Sequence, residues 1–414
     1  MRFHVLGLGS VGALFAHNLR RSLSPQHDIH LMFRTSAQAK DAQNKAILIE
    51  RDGVVSKSIG YKTESTNDFQ EALQNFVLNK SGRVALPSRQ FRPHTGLRNP
   101  SVPEQDATDT NHINSLFVTC KAYATASALE KLQQRLSRQS TVVLLQNGNL
   151  SVCEQLLSTV FKDTEKRPNI VLASINHGTW IKAPLHIVHA GIGSLRFAIL
   201  PDDRRDFERS RWEATIGVEK PALSLDDIHR PEGDPEGATY WTLRNTIAAL
   251  QGLSGLQPIW EPMPTLQIHL RQKLVVNCVI NPLTTLMGCK NGELYGNAAA
   301  ERMSKRLCAE AEKVFRAEAR ANNPSNYNSS DDILDPRLRA NSLHNECRRV
   351  ALNTAGNISS MLAEVRRGNK VTEVEYLNGY IMQLGSRYRV PVPTHATILD
   401  LIKLRTSIPL DTLL

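Results

Sequence analysis

Lys273, Asn277 and Asn281 recur every four residues in LRQKLVVNCVINPLTTLMGCKNGEL, the stretch 270–294. On a helix such steps stack as one slanting polar stripe. Leu274, Val275, Val276, Cys278, Val279 and Ile280 surround it, and a helix this apolar on its other sides is expected to be buried. A buried amide left unpaired costs about 1–3 kcal/mol, and an unpaired charge costs more. The stripe therefore needs partners. A polar ligand in an adjacent cleft would supply them, and so would an internal hydrogen-bond network; spacing does not choose between the two. Pro282 follows Asn281, so the helix should kink or stop there and leave Asn281 near an exposed end.

A second constellation opens the chain. The apolar run 3–6 leads into Gly7-Leu8-Gly9-Ser10-Val11-Gly12, and ALFAHNLRRS continues with helical character. G-x-G-x-x-G between a strand and a helix is a dinucleotide-binding pattern. The first glycine permits the turn, the second lets a pyrophosphate approach the backbone, and the third lets helix pack on strand. Amides at the helix start then face the phosphates. The next strand, HDIHLMFR (27–34), ends in Arg34 where an NAD site would place an acid. Arginine pairs with a 2′-phosphate that an acid would repel, so NADP is favoured over NAD.

Further strands are expected at SLFVTCK (115–121) and STVVLLQ, ending in Lys121 and in Gln146-Asn147-Gly148. Ligands of open α/β sheets collect beyond the carboxyl ends of strands, which is where Gly7, Lys121 and Asn147 all fall. Residues 169–200 alternate as strands that should finish the same sheet, and PIWEPMP (258–264) reads as a crossover between domains. Beyond Thr265 the pattern is helical. Helices are expected at 298–321, at about 338–367 carrying Ser360, and in KVTEVEYLNGYIMQL. There Thr372 and Glu375 match a capping box, with Glu373 as first helical residue. Glu373 would at least favour the positive helix end.

At 414 residues the chain exceeds a single core. The expected architecture is an N-terminal α/β, Rossmann-type doubly wound sheet (1–262) and an all-α C-terminal domain (263–414). Two polar stretches, about 79–111 and 201–238, read as insertions. The six cysteines show no metal or redox spacing, so free thiols in a reducing compartment are expected, cytoplasm or mitochondrial matrix. No ligand set for a metal is legible. The formal charge of +10 is spread over scattered basic residues without interleaved aromatics, which argues for a solvated surface rather than nucleic-acid binding. No apolar run approaches the ~20 residues of a membrane span. Neither monomer nor homodimer is favoured.

KLVVNCVINPLTTLMGCKNGEL, NISSML and TEVEYLNGY, after GLGSVG, strongly resemble the ketopantoate reductase family, across both domains but not the insertions. The insertions suggest a eukaryotic, fungal-type member. The resemblance implies that NADPH reduces a 2-oxo acid, 2-dehydropantoate, to pantoate. It implies Lys273 as general acid and Glu373 as hydrogen-bond partner of the substrate hydroxyl. Asn277, Asn281 and Ser360 would bind substrate. Asn147 would sit where nicotinamide and substrate meet, Lys121 close to the cofactor, and Gly7, Leu8, Gly9, Ser10, Val11, Gly12 and Arg34 on the NADP itself. The expected site is a cleft between the domains. Asn149-Leu150 after the Asn-Gly pair, and one extra residue between Ser360 and Glu373, depart from the family pattern. They leave open a reductase of another 2-oxo acid. A catalytically silent NADPH-binding regulator is the third reading, opposed by the presence of Lys273 and Glu373.

Overall fold

A computed structural model describes residues 1–66, 111–202, 205–209, 223–228, 237–322 and 333–408. All of the expected insertion at 79–111 except Asn111, and most of that at 201–238, lie outside these residues. The chain forms two compact units. The first holds 1–120, 124–146 and 156–262; the second holds 121–123, 147–155 and 263–414.

The first unit is α/β. In chain order it begins β1 (Arg2–Leu6), α1 (Ser10–Ser22), β2 (Asp28–Phe33), α2 (Ser36–Ala42), β3 (Ile47–Arg51), β4 (Val54–Ser58) and β5 (Lys62–Ser65). The chain continues β6 (Ser115–Val118), α3 (Ala122–Leu132, its first two residues in the second unit), β7 (Thr141–Leu144), α4 (Asn149–Ser158, of which 149–155 belong to the second unit), β8 (Asn169–Ile175), β9 (Gly178–Ala183), β10 (His186–Gly191) and β11 (Leu195–Ile199). α5 (Leu225–Ile228), α6 (Gly237–Gln251) and β12 (Pro258–Trp260) complete the first unit. The main sheet runs β12-β11-β8-β7-β6-β1-β2-β5. From β5 to β8 every pairing is parallel, and only β11 turns antiparallel to β8. The chain winds outward from β1 in one direction and from β6 in the other. The carboxyl ends of β1 and β6 are thus the point where strand order reverses, the usual place for a ligand in such sheets.

The strands of 169–200 differ from the sequence expectation. Residues 169–200 do not all join the main sheet: β9 and β10 form a second sheet, order β4-β3-β10-β9. Ile187 of β10 pairs with Ile49 of β3, and both are buried in the core that includes α1. The β3–β4 hairpin turns at Asp52-Gly53, both at positive φ (51° and 79°), which is the backbone that a two-residue hairpin needs. PIWEPMP does hold the passage from one unit to the other, between Pro262 and Met263. Its first three residues are the edge strand β12, where Trp260 stacks on Phe197 and donates to Glu208 Oε1 at 2.9 Å.

The second unit is helical: α7 (Met263–Met287), α8 (Ala298–Asn322), α9 (Ala340–Asn353), α10 (Ser360–Arg366), α11 (Asn378–Arg387) and α12 (Pro393–Ser407). Its core gathers Val279, Leu307, Val314, Leu343, Ile381 and Ile402. The helix expected at 338–367 is interrupted. After α9, Asn357 N–H closes a turn on Thr354, and the Ala355 and Asn357 carbonyls accept from Gly292 and Asn291 amides at 3.3 and 3.0 Å. A Cβ on Gly292 would lie 2.5 Å from Ala355 Cβ, so the glycine permits this approach. Ser359 then caps α10 through Leu362 N–H at 3.2 Å. The stretch after Thr372 begins as a 3-10 turn, Glu373–Tyr376, before α11. Thr372 caps Val374 N–H, whereas Glu375 pairs with Lys403 instead of completing the expected box.

α7 overturns the expectation at Pro282. The helix runs through the proline to Met287, and Asn281 is buried, 7% exposed, rather than near an open end. Proline has no N–H for the carbonyl four residues back, which here is Cys278. Buried Asn378 supplies the missing donor, Nδ2 to Cys278 O at 3.1 Å. Thr284 and Thr285 hydroxyls take the Asn281 carbonyl at 3.1 and 2.7 Å. Asn378→Ala should therefore cost about 1–3 kcal/mol in denaturant unfolding. In a Pro282→Ala background, where the helix regains its own donor, the cost should shrink. An equal cost in both backgrounds would show that Asn378 acts otherwise.

Candidate active site and cofactor loop

The glycine turn belongs to the first unit. Gly7 has φ +97°, and a Cβ there would lie 2.7 Å from Cys120 N. A Cβ on Gly12 would lie 2.0 Å from Gly7 O and 2.6 Å from Thr119 Oγ1. Thr119 ties the turn down, its hydroxyl donating to Leu6 O at 3.0 Å and to Gly7 O at 2.5 Å. Gly9 differs: it is exposed, and a Cβ there would meet nothing within 4 Å. The fold itself requires the first and third glycines, whereas the space beside the second is open to a ligand. Gly9 is also the N-cap of α1 and makes no side-chain cap bond, so the helix start keeps amides for an anion. Ser10 begins α1, Leu8 and Val11 lean on the core, and Arg34 stands exposed one residue beyond β2. A phosphate-bearing dinucleotide fits this arrangement.

The polar residues singled out beyond β6, beyond β7 and on α7 all fall in the second unit. The 3-10 turn from Glu373 carries a carboxylate that is only 4% exposed. Its Oε1 accepts the Ala122 N–H at 3.3 Å, and its Oε2 meets Lys121 Nζ and Asn147 Nδ2, each at 3.5 Å. Gly148, at φ +66°, allows the Asn147 turn to press on this segment, since a Cβ there would lie 2.9 Å from Tyr376 Cβ. Lys121 Nζ also forms an ion pair with Glu364 of α10, a carboxylate buried as deeply as Glu373. Sequence inspection missed Glu364. Its only signal was an acid among the apolar positions of SSMLAEV, which is also what a surface helix turn looks like.

On α7, Lys273 and Asn277 are half-buried and Asn281 is buried, among buried Leu274, Val275, Val276, Cys278, Val279 and Ile280. Burial pulls the Lys273 ammonium down to about 8, and the Glu373 charge opposes this only in part. Lys121 moves the other way. Burial would lower it, but the Glu373 and Glu364 carboxylates outweigh that and raise it. Burial, with repulsion from Glu373, also raises Glu364 against the pull of Lys121. The two carboxylates thus hold Lys121 as a cation, while burial leaves Lys273 on α7 easier to deprotonate than an ordinary lysine.

Ser360 is exposed at the first position of α10, while its neighbour Ser359 does the capping. The family departure at Asn149-Leu150 buries Asn149 at the start of α4 and packs Leu150 on the helical core. Between α10 and Glu373, Gly368 adopts φ +82° and Asn369 N–H closes on Glu364 O at 3.1 Å. All six cysteines are free thiols. Among the described residues no helix is long and apolar enough to cross a membrane.

Comparison with known proteins accounts for both units. Residues 3–202 match the family described as ketopantoate reductase PanE/ApbA, and 266–406 match ketopantoate reductase PanE/ApbA C terminal. A probable 2-dehydropantoate 2-reductase of Schizosaccharomyces pombe is 23% identical over 405 residues, 98% of this chain and 96% of that protein. The 2-dehydropantoate 2-reductase of Salmonella typhimurium is 31% identical over 292 residues, 70% of this chain and 74% of that one. The crystal structure of the probable 2-dehydropantoate 2-reductase panE from Bacillus subtilis shares the fold, with TM-score 0.60, 19% identity and coverage of 98% of this chain and 100% of that one. The chain belongs to the ketopantoate reductase family and is an NADP(H)-dependent oxidoreductase acting on CH–OH groups.

Proposed function

We propose that this chain reduces 2-dehydropantoate to pantoate, on the route to pantothenate and coenzyme A, with Lys273 as general acid. The observation that carries this reading is the opposed behaviour of Lys273 and Lys121 around Glu373. Gly7, Leu8, Gly9, Ser10, Val11, Gly12 and Arg34 would hold the cofactor, with Lys121 and Asn147 toward its reactive end. When bound, NADPH supplies a hydride to the C2 carbonyl.

The residues of the second unit do the rest. Negative charge develops on the carbonyl oxygen, and the Lys273 ammonium stabilises it and then gives up a proton. General acids of this kind contribute roughly 10²–10⁴-fold. A lysine at its ordinary value would be a reluctant donor; one near 8 matches the working pH. Asn277, Asn281 and Ser360 orient the substrate without adding charge, and Glu373 accepts from its hydroxyl. Lys121 holds Glu373 in place. The departures at Asn149-Leu150 and before Glu373 favour a second reading, the same chemistry on a different 2-oxo acid. NADPH oxidation with 2-dehydropantoate and with a panel of other 2-oxo acids separates the two. Turnover with none would overturn both.

The acid must carry its proton, so the reduction rate should hold below about pH 8 and fall tenfold per unit above it. Oxidation of pantoate, which needs the neutral amine, should rise through the same range. Lys273→Ala should cut kcat by at least ~100-fold with NADPH affinity nearly unchanged, checked by stopped-flow and fluorescence titration. Undiminished turnover would remove Lys273 from the reaction. For the cofactor, Arg34→Asp should weaken NADPH far more than NADH. Gly9→Ala should leave unfolding free energy within about 1 kcal/mol yet impair NADPH binding, whereas Gly12→Ala should lower stability outright. The reverse pattern would place the phosphates elsewhere.

A further inference from the structure

On the main sheet, away from the glycine turn, the strand register brings together three residues that no sequence spacing connects. His4 of β1 stands directly opposite His30 of β2. Glu64 lies on β5, the neighbour of β2, opposite Met32. Phe3 and Val5, and likewise Ile29 and Leu31, face the core that contains α1. Alternation then sends His4 and His30 to the other face of the sheet. There His4 Nε2 lies 3.3 Å and His30 Nδ1 3.7 Å from the same oxygen, Glu64 Oε1. All three ligand-type atoms fall within 4.8 Å of one another. Donors around a tetrahedral ion with bonds of about 2.0–2.1 Å are roughly 3.3–3.4 Å apart. The two measured separations already bracket that spacing, and the histidine pair needs only to close the remaining gap.

We propose that His4, His30 and Glu64 form a binding site for a divalent cation of the zinc class, with a fourth position left to water. The donor set of two imidazoles and one carboxylate suits a borderline ion such as Zn²⁺ or Co²⁺ rather than Mg²⁺ or Ca²⁺, which prefer all-oxygen shells. The site is anchored on three adjacent strands, so it is rigid, and His4 is only 1% exposed. Arg135 orients the carboxylate from behind, its Nη2 lying 3.1 Å from Glu64 Oε2, while its Nε donates to Asn111 O at 2.8 Å. Holding the far oxygen leaves Oε1 turned toward the histidines, the supporting role usual around metal carboxylates. The Arg135 charge opposes the cation, so the site should be looser than a closed structural zinc site. Its effect is to staple β5 to β2 and β1. The cluster lies outside the residues assigned to catalysis.

The test uses the full chain after chelator treatment, titrated with CoCl₂ and followed by visible absorption, with thermal unfolding in parallel. The expected result is one Co²⁺ per chain with a tetrahedral d–d band and a rise in Tm on binding, and competition by ZnCl₂. His30→Gln, at a partly exposed position, should weaken Co²⁺ at least about tenfold while leaving NADPH affinity unchanged. Glu64→Gln should do the same and provides a second variant if one folds poorly. Three outcomes would overturn the proposal: no saturable binding, equal affinity in wild type and both variants, or a near-ultraviolet thiolate band assigning the ion to cysteines. In the first case the cluster is a metal-free hydrogen-bonded network.

Discussion

The second unit places two carboxylates against one lysine. Glu364 and Glu373 are both buried, and both turn to Lys121. That arrangement stabilises Lys121 as a cation. It also means that the Glu373 charge only partly offsets the burial of Lys273. Two carboxylates raise Lys121, whereas burial lowers Lys273 against the one charge of Glu373, and this separates their proton affinities. Coulomb attraction at these distances is worth several kcal/mol at an intermediate dielectric, so moving Glu373 by an ångström or two would change both lysines together. The Gly148–Tyr376 approach and the Ala122 amide fix its position.

The same unit shows how a rule about backbone donors can be satisfied from outside. Pro282 removes a hydrogen bond from α7, and sequence logic ends the helix there. Asn378, nearly a hundred residues later, restores the partner and keeps the polar stripe on one continuous, buried rod.

Local patterns made much of this legible in the sequence. GLGSVG after an apolar run identified β1, α1 and the phosphate turn. The apolar surroundings of Lys273 identified a buried helix. What escaped was set by distant partners. The second sheet forms because Ile187 pairs with Ile49, and nothing in either stretch names the other. The break between α9 and α10 depends on amides of Asn291 and Gly292. Glu364 earns its position only through Lys121, and the His4–His30–Glu64 cluster exists only through strand register. The Asp52-Gly53 hairpin, by contrast, was readable and overlooked: two residues needing positive φ lie between two β-rich runs.

The most direct test of the central claim is to measure the Lys273 ionisation itself, by NMR titration of the lysine side-chain signals, assigned by comparison with Lys273→Arg. The account predicts a midpoint near 8 in the wild type, and a lower one in Glu373→Gln, where the opposing negative charge is gone. A Lys273 midpoint at the ordinary lysine value, unmoved by the loss of Glu373, would contradict it.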